Sequence, residues 1–253
     1  FYHTFIERYG LRDEDAAPAL RTATALAGEA QRLGLQASLT PHAPYSTSAA
    51  LYAALLERSR AWSVHNQESR EEHQLFAQGS GALHALFARM GLTPPPPTGA
   101  SSIHHTLRHA HSLQRLLLVH NTTTTAADYE AAAAACRRLW WVLCPSSNLY
   151  IHGQLPPVAL LRAKGAALAV GTDSLASTGS LNVLDELKLL AHHFPHIPLH
   201  ETLRWATLGG AEALGMAQTL GSLEKGKRPG VALISGIDFD NMRLTPASCA
   251  RRL

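Results

Sequence analysis

The sequence predicts an α/β protein of the (β/α)8 TIM-type barrel class, lacking about the first two strands and carrying a small C-terminal β addition. Apolar or β-branched runs alternate with Ala- and Leu-rich stretches of helical character, the pattern of right-handed βαβ crossovers and a parallel sheet. The runs are continuously apolar, as suits strands covered on both faces. Nearly every run ends at its C-terminal edge in His, Asp, Asn, Ser or Cys. A doubly wound sheet would also satisfy the alternation, but it uses mainly one switch point, whereas a barrel gathers all its strand ends at one mouth.

The first candidate strand is FYHTFIER, from Phe1, followed by a helix from Pro18 to Leu33. LQASLTPHAPYS, from Leu35 to Ser46, is the second strand, and Ser48 to Arg60 is the next helix. AWSVHNQES supplies a third strand, from Ala61. The Gly91 to Ser102 segment, with Pro94-Pro95-Pro96-Pro97, excludes helix and central strand and reads as a stiff connector within a crossover. RLLLVHN, from Arg115, is the fourth strand, Ala126 to Leu139 a helix and LWWVLCPSSN the fifth strand. Pro156 to Lys164 is helical, and ALAVGTDS, ending in Asp173-Ser174, is the sixth strand. Helical patterns at Ser180 to His192 and Leu199 to Gly215 precede turns at Gly221 to Lys227 and a short strand at Val231 to Ile234. Residues 1–220 are therefore expected to form the barrel portion and 221–253 part of a small β accessory domain.

Composition narrows the function classes. With 253 residues, 46% hydrophobic and 16% charged, the chain has the apolar content of a folded globule rather than a disordered segment. Its formal charge of +3 comes with no run of basic residues interleaved with aromatics, so nucleic acid is not an expected partner. Charges, Gly or Pro interrupt every apolar stretch short of the roughly 18 residues a membrane span requires. Cys136, Cys144 and Cys249 form neither a C-x-x-C pair nor an even disulfide set, which fits a reducing cytoplasm. The chain opens Phe1-Tyr2-His3 with no initiator Met or signal-peptide pattern, so an upstream segment is expected.

Chemistry concentrates at three strand ends. His65 closes Ala61-Trp62-Ser63-Val64, and Glu68 follows where the strand turns into its loop. A neutral imidazole held at a strand end can bind zinc, and a nearby carboxylate can take and deliver a proton. His120 closes Leu116-Leu117-Leu118-Val119, and Asp173 closes Ala169-Val170-Gly171-Thr172. The three lie 55 and 53 residues apart, the separation of successive barrel units rather than of a local metal finger.

These residues stand in motifs: Thr40-Pro41-His42-Ala43-Pro44-Tyr45-Ser46, Val64-His65-Asn66-Gln67-Glu68-Ser69, Val119-His120-Asn121, Cys144-Pro145-Ser146-Ser147-Asn148 and Gly171-Thr172-Asp173-Ser174. Together with Trp205-Ala206-Thr207-Leu208-Gly209-Gly210-Ala211-Glu212-Ala213-Leu214-Gly215 and the Gly221 to Lys227 turn, they resemble the amidohydrolase superfamily, in its deaminase and chlorohydrolase branch. The resemblance implies a hydrolase with one divalent metal, Zn²⁺ or Fe²⁺. In it His65 and Asp173 match metal ligands and Glu68 matches the proton shuttle. His120 matches the residue that polarises the substrate or steadies the attacking hydroxide, and Asp173 also accepts a proton. His42, Asn148 and Ser177 match positions that line the substrate pocket.

The implied reaction is attack by metal-activated water on an amidine-like carbon, with ammonia leaving after proton transfer through Glu68. A small-molecule substrate of the aminopurine nucleoside type is expected, by likeness to deaminases of adenosine-type nucleosides, including aminodeoxyfutalosine. Alternatives are dechlorination or cyclic amide hydrolysis on the same site, or a non-catalytic barrel remnant.

The family's strand-one His-x-His, which supplies two metal ligands, is expected upstream of Phe1. His109-Ala110-His111 has the literal spacing but sits in a helix-like stretch without a preceding apolar strand. On this reading the chain keeps two of four expected ligands, is expected to bind metal weakly, and, with two open sheet edges, is expected to self-associate. Of the 15 histidines, His73, His84, His104, His105, His192, His193 and His196 are expected to be surface or packing residues, and Cys144 a buried structural thiol.

Overall fold

The computed structural model describes residues 1–110, 113 and 115–253, so His111 of the His-x-His spacing lies outside the described residues. The elements run β1 (His3–Arg8), α1 (Ala16–Arg32), β2 (Gln36–Pro41), α2 (Ala49–Arg58), β3 (Ala61–Asn66), α3 (Arg70–Gln78), α4 (Gly81–Arg89) and α5 (Ile103–Ala110). They continue with β4 (Arg115–His120), α6 (Ala126–Ala135), β5 (Leu139–Leu143), α7 (Pro145–His152), α8 (Val158–Ala163) and β6 (Leu168–Val170). Then come α9 (Val183–His193), α10 (Leu199–Arg204), a π turn at Trp205–Gly209, α11 (Gly210–Ala213), β7 (Ala232–Asp238) and β8 (Arg243–Arg252). The chain divides into two compact units, one of residues 1–140 with 156–165 and one of 141–155 with 166–253. No helix of the described residues is long and apolar enough to cross a membrane.

In the first unit β1 runs parallel to β2, from His3 opposite Gln36 to Arg8 opposite Pro41. β3 runs parallel to β4, from Ala61 opposite Arg115 to Asn66 opposite His120. Between these pairs a side chain does what a ladder would do: Thr40 Oγ1 donates to the Ser63 carbonyl at 2.8 Å and accepts from the Ser63 amide at 3.0 Å. One rung further, the His65 amide donates to the His42 carbonyl at 3.0 Å. Leu39, Trp62, Val64, Leu116 and Leu118 are buried, because strands covered on both faces have no solvent side.

The helices start where their caps dictate. Ser48 accepts from the Leu51 amide to open α2, Ser69 accepts from the Glu72 amide to open α3, and Thr125 with Asp128 forms a capping box on α6. Leu75, Phe76 and Phe87 of α3 and α4 form a buried cluster with Tyr45 and Leu92 packed against it. His105, expected to be a packing residue, is buried against Tyr52 and Phe76, and that burial lowers its pKa to about 4.

In the second unit Trp141–Leu143 runs parallel to Leu168–Val170. The helix expected over Leu199 to Gly215 is instead α10, a π turn and α11. Gly209 ends the π turn against β6, where a Cβ would run into the Leu168 carbonyl oxygen, so only glycine lets the backbone approach so closely. Cys144 is buried, as expected. The short strand expected at Val231 to Ile234 is β7, paired antiparallel with β8 and bulged between Ser235 and Ile237.

Candidate active site

In the first unit the C-terminal ends of four parallel strands bring together Glu7, His42, His65, Glu68 and His120. Glu7 is the last residue but one of β1, and its Oε2 lies 3.9 Å from His65 Nδ1. His42 follows β2, its Nδ1 2.6 Å from Ser46 Oγ and its ring centroid 4.6 Å from that of His65. The His65 and His120 ring centroids are 5.2 Å apart, and His120 Nε2 is 3.6 Å from Glu68 Oε1. Sequence reasoning singled out four of these five. It missed Glu7, which reads as the ordinary charged end of a strand.

The turns that present these side chains are held in uncommon backbone. Gln67, His120 and Asn121 have φ of 49°, 77° and 62°, in the left-handed region that costs non-glycine residues about 1–3 kcal/mol each. A buried amide network imposes it. Asn66 Nδ2 donates to Asn121 Oδ1 and to Gln67 Oε1, both at 3.1 Å, and Thr124 Oγ1 donates to Gln67 Oε1 at 2.6 Å. The Asn121 amide closes on the Asn66 carbonyl at 2.9 Å, and Asn121 Nδ2 donates to the Leu118 carbonyl at 2.8 Å. The ends of β3 and β4 are therefore tied to each other by side chains as well as by the ladder.

Behind the Glu68 turn lies Glu72, fully buried, whose carboxylate accepts from the amides of Gln67 at 3.3 Å and Glu68 at 2.9 Å. Burial pushes its pKa up to about 6 despite those hydrogen bonds. Tyr45, near Glu68 and Glu72, is pushed well above the usual phenol range, first by burial and then by those carboxylates.

A divalent cation fits the donor set of this unit. Glu7, His42 and His65 each offer one ligand atom, all within 4.8 Å of one another, and the His65 Nδ1 is buried with no hydrogen-bond partner among the described residues. Imidazole nitrogen with carboxylate oxygen suits zinc and other borderline cations.

In the second unit Asp173 follows β6 with φ of 61°. Its Oδ2 accepts from Ser147 Oγ and Ser177 Oγ, each at 2.6 Å. Ser177, expected at the substrate, here orients the Asp173 carboxylate. Ser147, which sequence reasoning left without a role, does the same from α7. Asn148 is fully buried on α7. Glu186 on α9, also missed, accepts from the Ser146 amide at 2.8 Å, and burial raises its pKa.

Residues 4–247 match the model of the Amidohydrolase family. The 5-methylthioadenosine/S-adenosylhomocysteine deaminase of Desulforudis audaxviator is 29% identical over 211 residues, which cover 79% of this chain and 44% of that protein. Among solved structures, the aminofutalosine deaminase of Helicobacter pylori superposes with a TM-score of 0.76 at 25% identity, over 90% of this chain and 58% of that one. A second structure of that deaminase holds methylthio-coformycin. An adenosine deaminase from Xanthomonas campestris with bound zinc has a TM-score of 0.64 at 26% identity, over 85% of this chain and 48% of that one. The chain spans about half the length of these relatives.

Proposed function

The chain belongs to the Amidohydrolase family, and on that premise we propose that it carries much of the active site of a metal-dependent hydrolase of cyclic carbon-nitrogen bonds. The reaction proposed is hydrolytic deamination of an aminopurine nucleoside. The family membership supports an α/β fold of TIM-like type. The fuller reading is a (β/α)8 barrel over residues 1–220 followed by a small β domain in which β7 and β8 take part.

The observation that carries the reading is the Glu68 carboxylate lying 3.6 Å from His120 Nε2 on the strand next to His65. The carboxylate there lies at ion-pair distance from a buried imidazole, and a proton carrier must be held at its reacting atoms. Glu68 takes a proton at Oε1 and returns it to the leaving amine. His120, at 1% exposure, donates from its ring to the developing negative charge on the substrate. His42, with Tyr45 edge-on at 6.0 Å, offers a wall for a planar heterocycle.

His65 is proposed as a ligand of the metal. Motif correspondence makes Asp173 a further ligand and proton acceptor, and Asn148 and Ser177 pocket residues. The cation, zinc in one relative of similar fold, supplies Lewis acidity and a nucleophile at neutral pH when bound.

The test is ammonia release by the zinc-loaded full-length protein from 5-methylthioadenosine, S-adenosylhomocysteine, adenosine and aminofutalosine, with chlorinated triazines and cyclic amides as controls. Ammonia from at least one nucleoside is the expected result. Chloride or carboxylate release alone, or no product from any compound, overturns the reading.

A further inference from the structure

We propose that Glu72, a buried carboxylate outside every catalytic motif of the sequence, is a positioning residue that fixes the Glu68 turn at its working distance from His120. The proposal rests on the reading of Glu68 as the proton carrier. Glu72 sits in the first turn of α3, and its own amide donates to the Ser69 cap at 3.1 Å. In an ordinary capping box the third-position glutamate reaches back to the amide of the cap residue. Here the carboxylate reaches further, Oε1 to the Gln67 amide at 3.3 Å and Oε2 to the Glu68 amide at 2.9 Å.

Two oxygens of one rigidly seated group thus grip two consecutive peptide N–H groups, which fixes the orientation of both peptide planes. The Cα–Cβ direction of Glu68 follows from that. The Gln67 backbone needs such a grip, since its φ of 49° is a conformation glutamine holds only when its surroundings impose it. From the other side the Thr123 amide donates to the Gln67 carbonyl at 3.1 Å, so the turn is clamped between α3 and the segment after β4. A helix start does not require a fully buried carboxylate, which is an unfavourable place for a charge.

The test compares Glu72→Gln, which keeps one acceptor oxygen, with Glu72→Ala, which keeps none. It reads kcat and KM for ammonia release together with amide hydrogen exchange. In Glu72→Ala kcat is expected to fall about 100-fold with KM within about twofold, as a displaced reacting group would cause, and Glu72→Gln should recover about tenfold of that loss. Exchange at Gln67 and Glu68 should accelerate from wild type to Gln to Ala, while Leu116 and Leu118 in β4 stay protected. If Glu72→Ala fails to fold, the Gln variant decides alone. The proposal is overturned by unchanged exchange at Gln67 and Glu68, by equal kcat in wild type and Glu72→Gln, or by loss of protection throughout β4 in step with the turn. If the wild-type protein deaminates nothing, the functional reading falls, but exchange at Gln67 and Glu68 still decides whether Glu72 holds the turn.

Discussion

His120 Nε2 lies 3.6 Å from Glu68 Oε1, and Glu68 stands two residues past the end of β3, where the register places Asn66 opposite His120 at the end of β4. The side chains are 1% and 15% exposed, so the pair works in a setting with little water to screen it. At this distance the two side chains meet as an ion pair rather than a hydrogen bond, and any attraction between them is screened less than in a surface pair.

Replacing Glu68 with Gln keeps the shape and removes the proton acceptor. We expect kcat for ammonia release to fall about 10²- to 10⁴-fold with bound zinc unchanged, measured by steady-state kinetics alongside metal analysis. A variant that keeps its rate would remove Glu68 from the chemistry.

The cation should stabilise the fold through His65. Zinc at about 100 times its dissociation constant is expected to add about 2.7 kcal/mol, seen as a higher melting temperature that a chelator reverses. His65→Ala should melt at one temperature with and without zinc, and an equal zinc response in that variant would place the metal elsewhere.

Glu72 also predicts a sign for the pH dependence of stability. Its folded-state pKa of about 6 stands above the ordinary 4.5, so the folded chain holds this proton more tightly than the unfolded one. Stability from this group is therefore full below about pH 4.5 and is lost as pH rises through about 6. Relative to Glu72→Gln, wild-type unfolding free energy should decline by about 2 kcal/mol across that window, measured by urea titration at several pH values. A flat difference, or a rise, contradicts the burial of this carboxylate.

The two adjacent glycines of the Thr207 to Ala211 stretch should respond in opposite ways. Gly209→Ala forces a methyl into the Leu168 carbonyl and should destabilise by about 1–3 kcal/mol. Gly210→Ala adds a methyl with nothing within 4 Å, in right-handed helical backbone, and should stabilise by about 0.4–1 kcal/mol. Urea midpoints of the two variants check both signs.

The central parallel strands were legible because burial on both faces leaves a continuous apolar run, as in Leu116 to Val119, whereas β1, with only Ile6 buried, was legible from its β-branched and aromatic residues. β8 was not, since it is mostly exposed and its RLTPASCARR carries no run to read. α3 was hidden by the polarity of REEHQLFAQ, whose buried face is only Glu72, Leu75 and Phe76. α7 was hidden because Pro145 at its start reads as the close of a strand rather than as a first-turn proline.

At the site, residues that end apolar runs were visible. Those whose neighbours give no such signal were not: Glu7, Ser147 and Glu186 stand in unremarkable stretches of sequence and reach His65, Asp173 and the Ser146 amide only through the fold. Glu72 did leave a trace, the Ser69-x-x-Glu72 spacing of a helix start. That spacing announces a cap and says nothing about which amides its carboxylate will choose.

The hydroxyl of Thr40, which spans from β2 to Ser63, makes two of the three hydrogen bonds described between the strand pairs depend on a single oxygen atom, the third being the main-chain bond from His65 to His42. Elsewhere in a sheet every residue type but proline offers the same main-chain groups, so neighbouring strands stay joined across most substitutions. Here the joint is written in the side chain, and Thr40→Val, equal in volume, would leave the Ser63 amide and carbonyl facing a methyl group. Part of the cohesion of this region is therefore heritable at one position, and a lineage could loosen or restore that part by exchanging one atom.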